Sequence, residues 1–232
     1  MIDITPLDAL GHADHGWLDA HHHFSFADYV NPDRVRFGPL RVWNDDRIAA
    51  KSGFPLHPHR DMEIITYIRK GAISHEDNLG NKGRTVAGDV QVMSAGTGIY
   101  HAEMNEGDED TELFQIWIEP NQQGLPPRWE TQKFPLAGRD AIFAPLASGR
   151  DGHDDALKIF QDAALFGATL TSGQTASHSV EEGRRVYLVP VRGKITVNGQ
   201  DISARAGVAI TDERLLTIEA LEDTEVVLLD LP

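Results

Sequence analysis

The sequence contains no cysteine. This absence excludes disulfide bonds and every metal site built from thiolates, so a metal ion would have to bind histidine, aspartate or glutamate side chains. It also agrees with a reducing compartment, where disulfides are rare. We therefore expect a cytoplasmic protein whose metal ligands, if it binds a metal, are nitrogen and oxygen atoms.

Long hydrophobic runs and an excess of basic residues are also missing. No stretch approaches the ~20 apolar residues that a membrane-spanning helix needs, and the acids and histidines of the N-terminus are unlike a secretory signal. The formal net charge is −15, from 36 acidic and 21 basic residues, so the field of the protein would repel a phosphate backbone. We expect no membrane association and no direct binding to nucleic acid.

Short strand-like segments dominate the sequence. They are rich in β-branched and aromatic residues, and glycine or Asn-Gly separates them. Long amphipathic helix patterns are absent, so the sequence predicts an all-β fold. The predicted strands cover residues 41–49, 62–69, 89–94, 113–119, 184–191, 194–199 and 224–231.

The chain repeats one pattern in its two halves. The first half reads YIRKGAIS…TVAGDVQVM and the second reads VPVRGKIT…SARAGVAIT. Between them, residues 121–136 are rich in proline and glutamine, a composition that favours a connection over a strand. We predict two tandem β-barrels, an N-terminal one over residues 1–120 and a C-terminal one over residues 137–232, joined by this linker.

Two pairs of polar residues indicate a metal site in the first half. His57 and His59 lie in FPLHPHRDME, and His101 and Glu103 lie in GTGIYHAEMN. Residues i and i+2 of a strand share one face, so two such pairs on neighbouring strands could converge. Three imidazoles and one carboxylate suit Fe(II), Mn(II), Ni(II), Cu(II) or Zn(II). A single His-x-His motif is more often an exposed loop pair, but two pairs with equal spacing favour a metal.

The second half lacks this arrangement. It has His178 at the position that corresponds to His57, and Val180 where the second histidine would fall. No histidine follows in its last strands. We expect the C-terminal barrel to be filled by apolar side chains and the chemistry to be confined to the N-terminal barrel.

Three motifs make a family resemblance visible. HGWLDAHHHFSFADY, HPHRDMEIITY and MSAGTGIYHAEMN resemble the pirin family of two-cupin proteins, and in particular bacterial pirin-like quercetin dioxygenases. The resemblance implies two tandem cupin (jelly-roll type) barrels and one divalent metal in the first. Fe(II) is the first choice, with Mn, Ni, Cu, Co or Zn as alternatives. The implied metal ligands are His57, His59, His101 and Glu103.

The carboxylate ligand has a competitor. Glu63 stands where many other cupins have theirs. The closer resemblance favours Glu103, which leaves Glu63 with a structural role or with orienting a ligand imidazole by a hydrogen bond.

The resemblance implies a metal-dependent dioxygenase that opens the central ring of a flavonol such as quercetin. Its substrates would be a small flavonol-like aromatic compound and dioxygen, with Glu103 as general base. One alternative is a metal- or redox-sensing interaction module that binds a protein partner, as a transcription cofactor does. Another is a cupin isomerase acting on sugars, which would need a polar pocket.

The remaining histidines and aromatic residues carry weaker expectations. The triple His21-His22-His23 is expected at the surface or rim, and His75 is expected in solvent near a hairpin turn. Gly96 and Gly98 are expected to form the tight turn that places His101. Four aromatic residues could line a pocket for a planar ligand or fill a core: Trp17, Phe24, Phe26 and Trp43.

Overall fold

The computed structural model describes residues 1–134 and 139–232, and these consist mainly of β-strands and loops. A short 3₁₀ helix covers Leu7–Ala9. No helix in the described part of the chain is both long and apolar enough to cross a bilayer. The predicted all-β class is confirmed.

The described residues group into two compact units. The N-terminal unit contains Gly11–Phe134 and Leu157–Gln161, and the C-terminal unit contains Met1–Leu10, residues 139–156 and Asp162–Pro232. The first ten residues therefore group with the C-terminal unit, although the predicted boundary assigns them to the first barrel. Residues 135–138, where the predicted linker ends and the second barrel begins, lie outside the described residues. The predicted domain boundaries stay a prediction.

Two antiparallel sheets form the N-terminal unit. One has the order β12-β9-β6-β11-β4-β3-β2 and the other has the order β5-β10-β7-β8. The strands, numbered along the whole chain, are β2 (Gly11–Asp14), β3 (Leu18–His22), β4 (Leu40–Ile48), β5 (Ser52–His59), β6 (Glu63–Lys70), β7 (Ala72–Asp77), β8 (Lys82–Val86), β9 (Val90–Ser94), β10 (Ile99–Asn105), β11 (Thr111–Ile118), β12 (Arg128–Gln132) and β14 (Leu157–Lys158).

The C-terminal unit is also built from two antiparallel sheets. Their orders are β1-β20-β17-β22-β15-β13 and β16-β21-β18-β19. The strands are β1 (Ile2–Thr5), β13 (Ala144–Ser148), β15 (Ala164–Leu170), β16 (Thr175–Ser179), β17 (Arg185–Arg192), β18 (Lys194–Val197), β19 (Gln200–Ser203), β20 (Gly207–Thr211), β21 (Leu215–Ala220) and β22 (Thr224–Leu231).

The two units repeat one strand order, which confirms the predicted duplication. The order β5-β10-β7-β8 returns as β16-β21-β18-β19, and β9-β6-β11-β4 returns as β20-β17-β22-β15. Next to β9 lies β12, and next to the corresponding β20 lies β1. Strand β1 therefore lies at the edge position of the C-terminal unit that β12 occupies in the N-terminal unit.

The interior of the C-terminal unit is apolar, as predicted. Side chains from both of its sheets form one buried cluster, which includes Val180 and Leu216. Leu216 pairs with His178 across β16 and β21, just as His101 pairs with His57 in the N-terminal unit. Val180 and Leu216 thus stand where the first unit has His59 and His101, whereas His178 stays polar, with its Nε2 3.0 Å from Asp230 Oδ2.

The predicted linker contains a strand, which the sequence analysis missed. Strand β12 pairs with β9, and its Trp129 stacks on His75 with ring centroids 4.6 Å apart and planes 6° apart. The prolines before residue 128 do not prevent this pairing, because they precede the strand and need no place in its ladder.

Candidate metal centre

Strand β5 carries two of the predicted ligands although it contains Pro55 and Pro58. It lies at the edge of its sheet and pairs only with β10, and an edge strand tolerates residues without an N–H group. The register shifts between His101 and Glu103, which marks a β-bulge on β5 at Pro55 and Leu56, opposite Ala102. Beyond the bulge, alternation along the strand leaves His57 and His59 on one face.

The structure brings the three predicted histidines together. His57 lies directly opposite His101, and their Nε2 atoms are 3.1 Å apart. The ring centroid of His59 lies 4.8 Å from that of His57 and 5.0 Å from that of His101. One ring nitrogen of each lies within 4.8 Å of the others. The three predicted histidines therefore converge in the fold, whereas Glu103 does not belong to this group of donor atoms, and metal binding by the four residues stays a prediction.

The turn before β10 depends on glycine, as expected. Gly96 has φ +45°, and a Cβ atom there would lie 2.0 Å from the carbonyl oxygen of Leu125. Gly98 has φ +136°, which is also unfavourable for residues with a side chain. These two positions allow β10 to begin at Ile99 with His101 facing inward.

Glu103 is buried beside His101 and is held by amide groups. One carboxylate oxygen accepts a hydrogen bond from Gln91 Nε2 (2.6 Å), and the other accepts one from Gln115 Nε2 (2.5 Å). Glu103, His101 and His75 form a second group of donor atoms that lie within 4.8 Å of one another. Burial raises the pKa of Glu103 to about 7, although hydrogen bonds from its partners oppose the shift.

The amides that hold Glu103 belong to a polar row across the seven-stranded sheet. Directly opposite residues of antiparallel strands present their side chains on the same face. The pairings connect five residues from β3 to β9: His22, Asn44, Gln115, Thr66 and Gln91. His22 Nδ1 and Asn44 Oδ1 are 2.9 Å apart at the other end of the row. This row fixes where the carboxylate of Glu103 can point.

His75 is buried in the site, and the prediction that it is solvated was wrong. Strand β7 continues past it to Asp77, so alternation turns both side chains inward while Glu76 faces out. His75 Nδ1 lies 3.3 Å from His101 Nδ1, and His75 Nε2 lies 3.0 Å from Asp77 Oδ2. The strand pattern Ile73, His75, Asp77 was the signal that could have revealed it.

The hydrogen bonds assign a tautomer to each ring. His57 Nδ1 faces the carbonyl oxygen of Pro55 at 2.8 Å and must carry a proton, because a carbonyl only accepts. The carboxylate of Asp77 likewise requires a proton on His75 Nε2. Neutral His75 then offers a lone pair to His101 Nδ1, which must donate. Both His57 and His101 are left with a lone pair on Nε2.

These lone pairs provide a test of whether a metal fits. The two Nε2 atoms face each other at 3.1 Å, and two acceptors at that distance repel unless a cation or a proton lies between them. Burial, reinforced by neighbouring histidines, lowers the pKa of His101 to about 2 and that of His59 to about 4, so protonation is disfavoured. A divalent metal resolves the conflict, because neutral imidazoles are good ligands for it.

A cavity of about 170 Å³ opens beside the histidines. Besides the site residues and the polar residues of β4 and β11, its walls are mainly apolar or aromatic: Leu18, Ala20, Phe26, Phe54, Ile64 and Trp117. The ring of Trp117 lies against His59 with centroids 4.9 Å apart. An engineered apolar cavity of about 150 Å³ binds benzene, so this space can hold one aromatic ring. Such walls suit a planar aromatic ligand better than a sugar.

The other predicted residues lie in different places. Glu63 is buried and accepts hydrogen bonds from Ser94 Oγ (2.8 Å) and the Phe160 N–H (3.2 Å), and neither of these partners is a ligand imidazole. Phe26 lines the cavity, whereas Trp43 and Phe24 are buried in the core. Trp17 packs edge-on against Phe54, with centroids 5.1 Å apart.

The histidine triple is not a surface feature, contrary to the prediction. His22 and His23 are buried, and only His21 is partly exposed. Strand β3 lies between β2 and β4 rather than at an edge, so its inward side chains are covered by neighbouring strands. His22 consequently reaches the cavity wall, and His21 faces His12 and Asp19 on the other side of the sheet.

We expect Asp77→Asn to weaken metal binding by up to roughly tenfold, less than the roughly 10- to 100-fold that loss of a direct partner of a metal-bound histidine costs, because Asp77 acts on His101 only through His75. An asparagine amide no longer enforces the tautomer of His75 and, through it, that of His101. Metal affinity is measured by competition with a chromophoric chelator. Glu76→Gln, on the exposed face of the same strand, is the matched control. Equal affinities of wild type and Asp77→Asn would contradict this role.

The chain is similar to known families and proteins over nearly its whole length. The family model "Pirin" matches residues 5–118, and "Quercetinase C-terminal cupin domain" matches residues 146–231. A protein of Pseudomonas aeruginosa is 60% identical over 230 residues, which are 99% of each chain. The Escherichia coli K12 protein named quercetin 2,3-dioxygenase is 44% identical, covering 100% of this chain and 99% of its own.

A solved structure matches the whole chain. The crystal structure of the bacterial pirin YhhW from Escherichia coli, in complex with nickel(II), superimposes with a TM-score of 0.94 at 44% identity. The match covers 100% of this chain and 99% of YhhW.

Proposed function

Because this chain belongs to the pirin family, with its pair of tandem cupin β-barrels, we propose that it is a metal-dependent dioxygenase that opens the central ring of a flavonol such as quercetin. One observation carries the proposal. Three imidazoles converge next to a buried carboxylate, at the wall of a cavity lined by aromatic and aliphatic side chains. This combination provides a metal site and a place for a planar substrate together.

In this proposal His57, His59, His101 and Glu103 hold one divalent metal. Fe(II) stays our first choice, and the nickel(II) complex of the relative YhhW supports a broader set of ions. When bound, the metal supplies a Lewis acid that favours the deprotonated 3-hydroxyl group of the flavonol and brings it next to dioxygen.

The side chains of the site have three tasks. Glu103 accepts the proton of the flavonol 3-hydroxyl group, from a position that Gln91 and Gln115 fix. The walls formed by Phe26, Phe54 and Trp117 stack on the substrate and exclude water from the reacting centre. Ring opening then incorporates both oxygen atoms of dioxygen in the products, a ring-opened ester and carbon monoxide.

Aerobic incubation with quercetin tests this function. Protein loaded separately with iron, manganese, nickel, copper, cobalt or zinc is mixed with quercetin, and the loss of its visible absorption and the release of carbon monoxide are followed. We expect turnover with at least one metal and none with metal-free protein. No turnover with any metal would reject the dioxygenase and leave the interaction module, with its protein partner, as the explanation. A cytoplasmic location stays a prediction.

A further inference from the structure

Asp46 is a buried carboxyl group that the mechanism above does not use. It lies two residues after Asn44 on β4, and both side chains line the cavity. Asp46 is only 2% exposed, and its Oδ1 atom has no hydrogen-bond partner among the residues that the structure describes. Buried polar groups are normally paired, so this oxygen requires an explanation.

The neighbours of Asp46 on the sheet give it no structural purpose. Across the strands it lies opposite Ala20 on one side and Leu113 on the other, and Leu113 in turn lies opposite Ile68. These three residues belong to one apolar cluster. The polar row that holds Glu103 runs one step further along β4, through Asn44. Asp46 is therefore a lone carboxyl group in an apolar row.

Its chain neighbour has the partner that Asp46 lacks. Successive strand residues face opposite sides, and Asp45 forms an ion pair with Arg69. Burial, and then the charges of Asp45 and Glu103, raise the pKa of Asp46 well above its usual value. This shift favours the protonated form, which has one O–H donor and acceptor oxygens, on a residue that lines the cavity.

The position of Asp46 separates it from the metal ligands. The site contains two groups of potential ligand atoms, and the atoms of each group lie within 4.8 Å of one another. Asp46 belongs to neither group. It lies opposite Ala20, which belongs with Leu18 to the apolar cluster that Phe54 packs against, and all three line the cavity. A ligand that meets the metal through one pair of oxygens would present another part of its ring system here.

We infer that Asp46 binds a hydroxyl group of the aromatic substrate other than the one held at the metal, and so selects polyhydroxylated flavonols. A carboxylic acid can both donate to and accept from a hydroxyl group, which matches the chemistry of a phenol. A site built to bind a substrate hydroxyl discriminates strongly against analogues that lack it, because the buried group is then left unpaired. This inference rests on the proposed function.

The test compares two flavonols on three proteins. Wild type, Asp46→Leu and Asp46→Asn are loaded with Ni(II) and titrated without dioxygen, so that binding is measured and turnover is prevented. Quercetin carries hydroxyl groups beyond the metal-chelating pair, and 3-hydroxyflavone carries none. Metal content and melting temperature are measured on the same samples.

We expect Asp46→Leu to bind quercetin at least tenfold more weakly and 3-hydroxyflavone within twofold of wild type. Asp46→Asn keeps a donor and an acceptor, so its affinity for quercetin should lie between those of the wild type and Asp46→Leu. Metal content should be unchanged, and the melting temperature should be equal or higher, because an unpaired buried carboxyl group is removed. A merely structural role predicts a lower melting temperature and equal losses for both ligands.

Three results would overturn the inference, and they are distinguishable. Wild-type quercetin affinity in both variants refutes the role of Asp46 and leaves the proposed function intact. Equal weakening for both flavonols with a lower melting temperature assigns Asp46 to the core. Failure of the wild type to bind either flavonol rejects the flavonol site itself, and this inference with it.

Discussion

Replacing His59 by alanine is expected to remove the bound metal and flavonol turnover together. His59 is one of the three converging imidazoles, and no other described imidazole has a ring nitrogen within 4.8 Å of both His57 and His101 to replace it. Loss of a partner of a metal-bound histidine already costs about 10- to 100-fold, so loss of a ligand should lower affinity on the order of 100-fold or more. The purified variant should contain little metal.

The reason lies in how the site is built. Burial lowers the pKa of His59 to about 4, so its imidazole is neutral at physiological pH and offers a lone pair without losing a proton. Alanine removes this lone pair and also the contact between the imidazole and Trp117. Metal content by mass spectrometry and turnover by quercetin absorption are measured on the same sample.

A matched control separates this effect from general damage. His15 is exposed and belongs to none of the groups of donor atoms among the described residues, so His15→Ala should keep both metal and activity. Full turnover in a metal-free sample of His59→Ala would be incompatible with the proposed metal centre. Normal metal content with lost turnover would instead mean that His59 contacts the substrate and is not a metal ligand.

Glu103→Gln is expected to have the second large effect, a drop in metal affinity on the order of 100-fold with a parallel loss of turnover. Glutamine keeps the size of the side chain but removes its negative charge. It also places an amide where Gln91 and Gln115 both donate hydrogen bonds to a carboxylate. One amide group cannot accept two such bonds on opposite atoms, so at least one partner must reorient.

The same residue should control the pH dependence of metal binding. The carboxylate form binds the metal, and burial raises the pKa of Glu103 to about 7, so a proton competes with the metal below that pH. Wild-type affinity should fall by about tenfold per pH unit below 7. His59 and His101, with pKa values of about 4 and 2, are already neutral there and do not contribute. Chelator competition between pH 5.5 and 8 measures this slope.

Stability of the metal-free protein provides an independent check. A carboxyl group whose pKa is higher in the folded than in the unfolded state keeps its proton longer when folded, so the free energy of unfolding falls as pH rises through that interval. For Glu103 the interval runs from 4.5, the ordinary value, to about 7. The melting temperature of wild type should decline across it relative to that of Glu103→Gln. Parallel curves for the two proteins would show that Glu103 is not the titrating group.

The inward faces of the two predicted ligand pairs were readable from the sequence because alternation along a strand is local, and their role as metal ligands stays a prediction. In HPH and HAE the spacing of two residues is enough to place both side chains on one face. The duplication was readable for a similar reason, since both copies keep the same order of strands, glycines and basic residues. The inward position of His75 was missed because ISHED was interpreted as a turn and not as the end of β7.

The surroundings of the site could not be predicted from the sequence, because they depend on how the strands pair. Gln91, Thr66 and Gln115 are far apart in sequence and look unremarkable there, yet register places them in one row beneath Glu103. Asp46 follows Asn44 by two residues, but only the pairings with Ala20 and Leu113 show that it is isolated. A shift of one residue in any of these strands would turn the side chains to the other face.

The amino-acid order alone thus determined the fold class, the repeat and the candidate nitrogen and oxygen donors. Tertiary structure decided which lone pairs meet, that Glu103 is held between two amides, and that His75 stands behind His101. The physical reason is that strand alternation acts over two residues, whereas register, bulges and buried hydrogen bonds depend on segments brought together from the whole N-terminal unit.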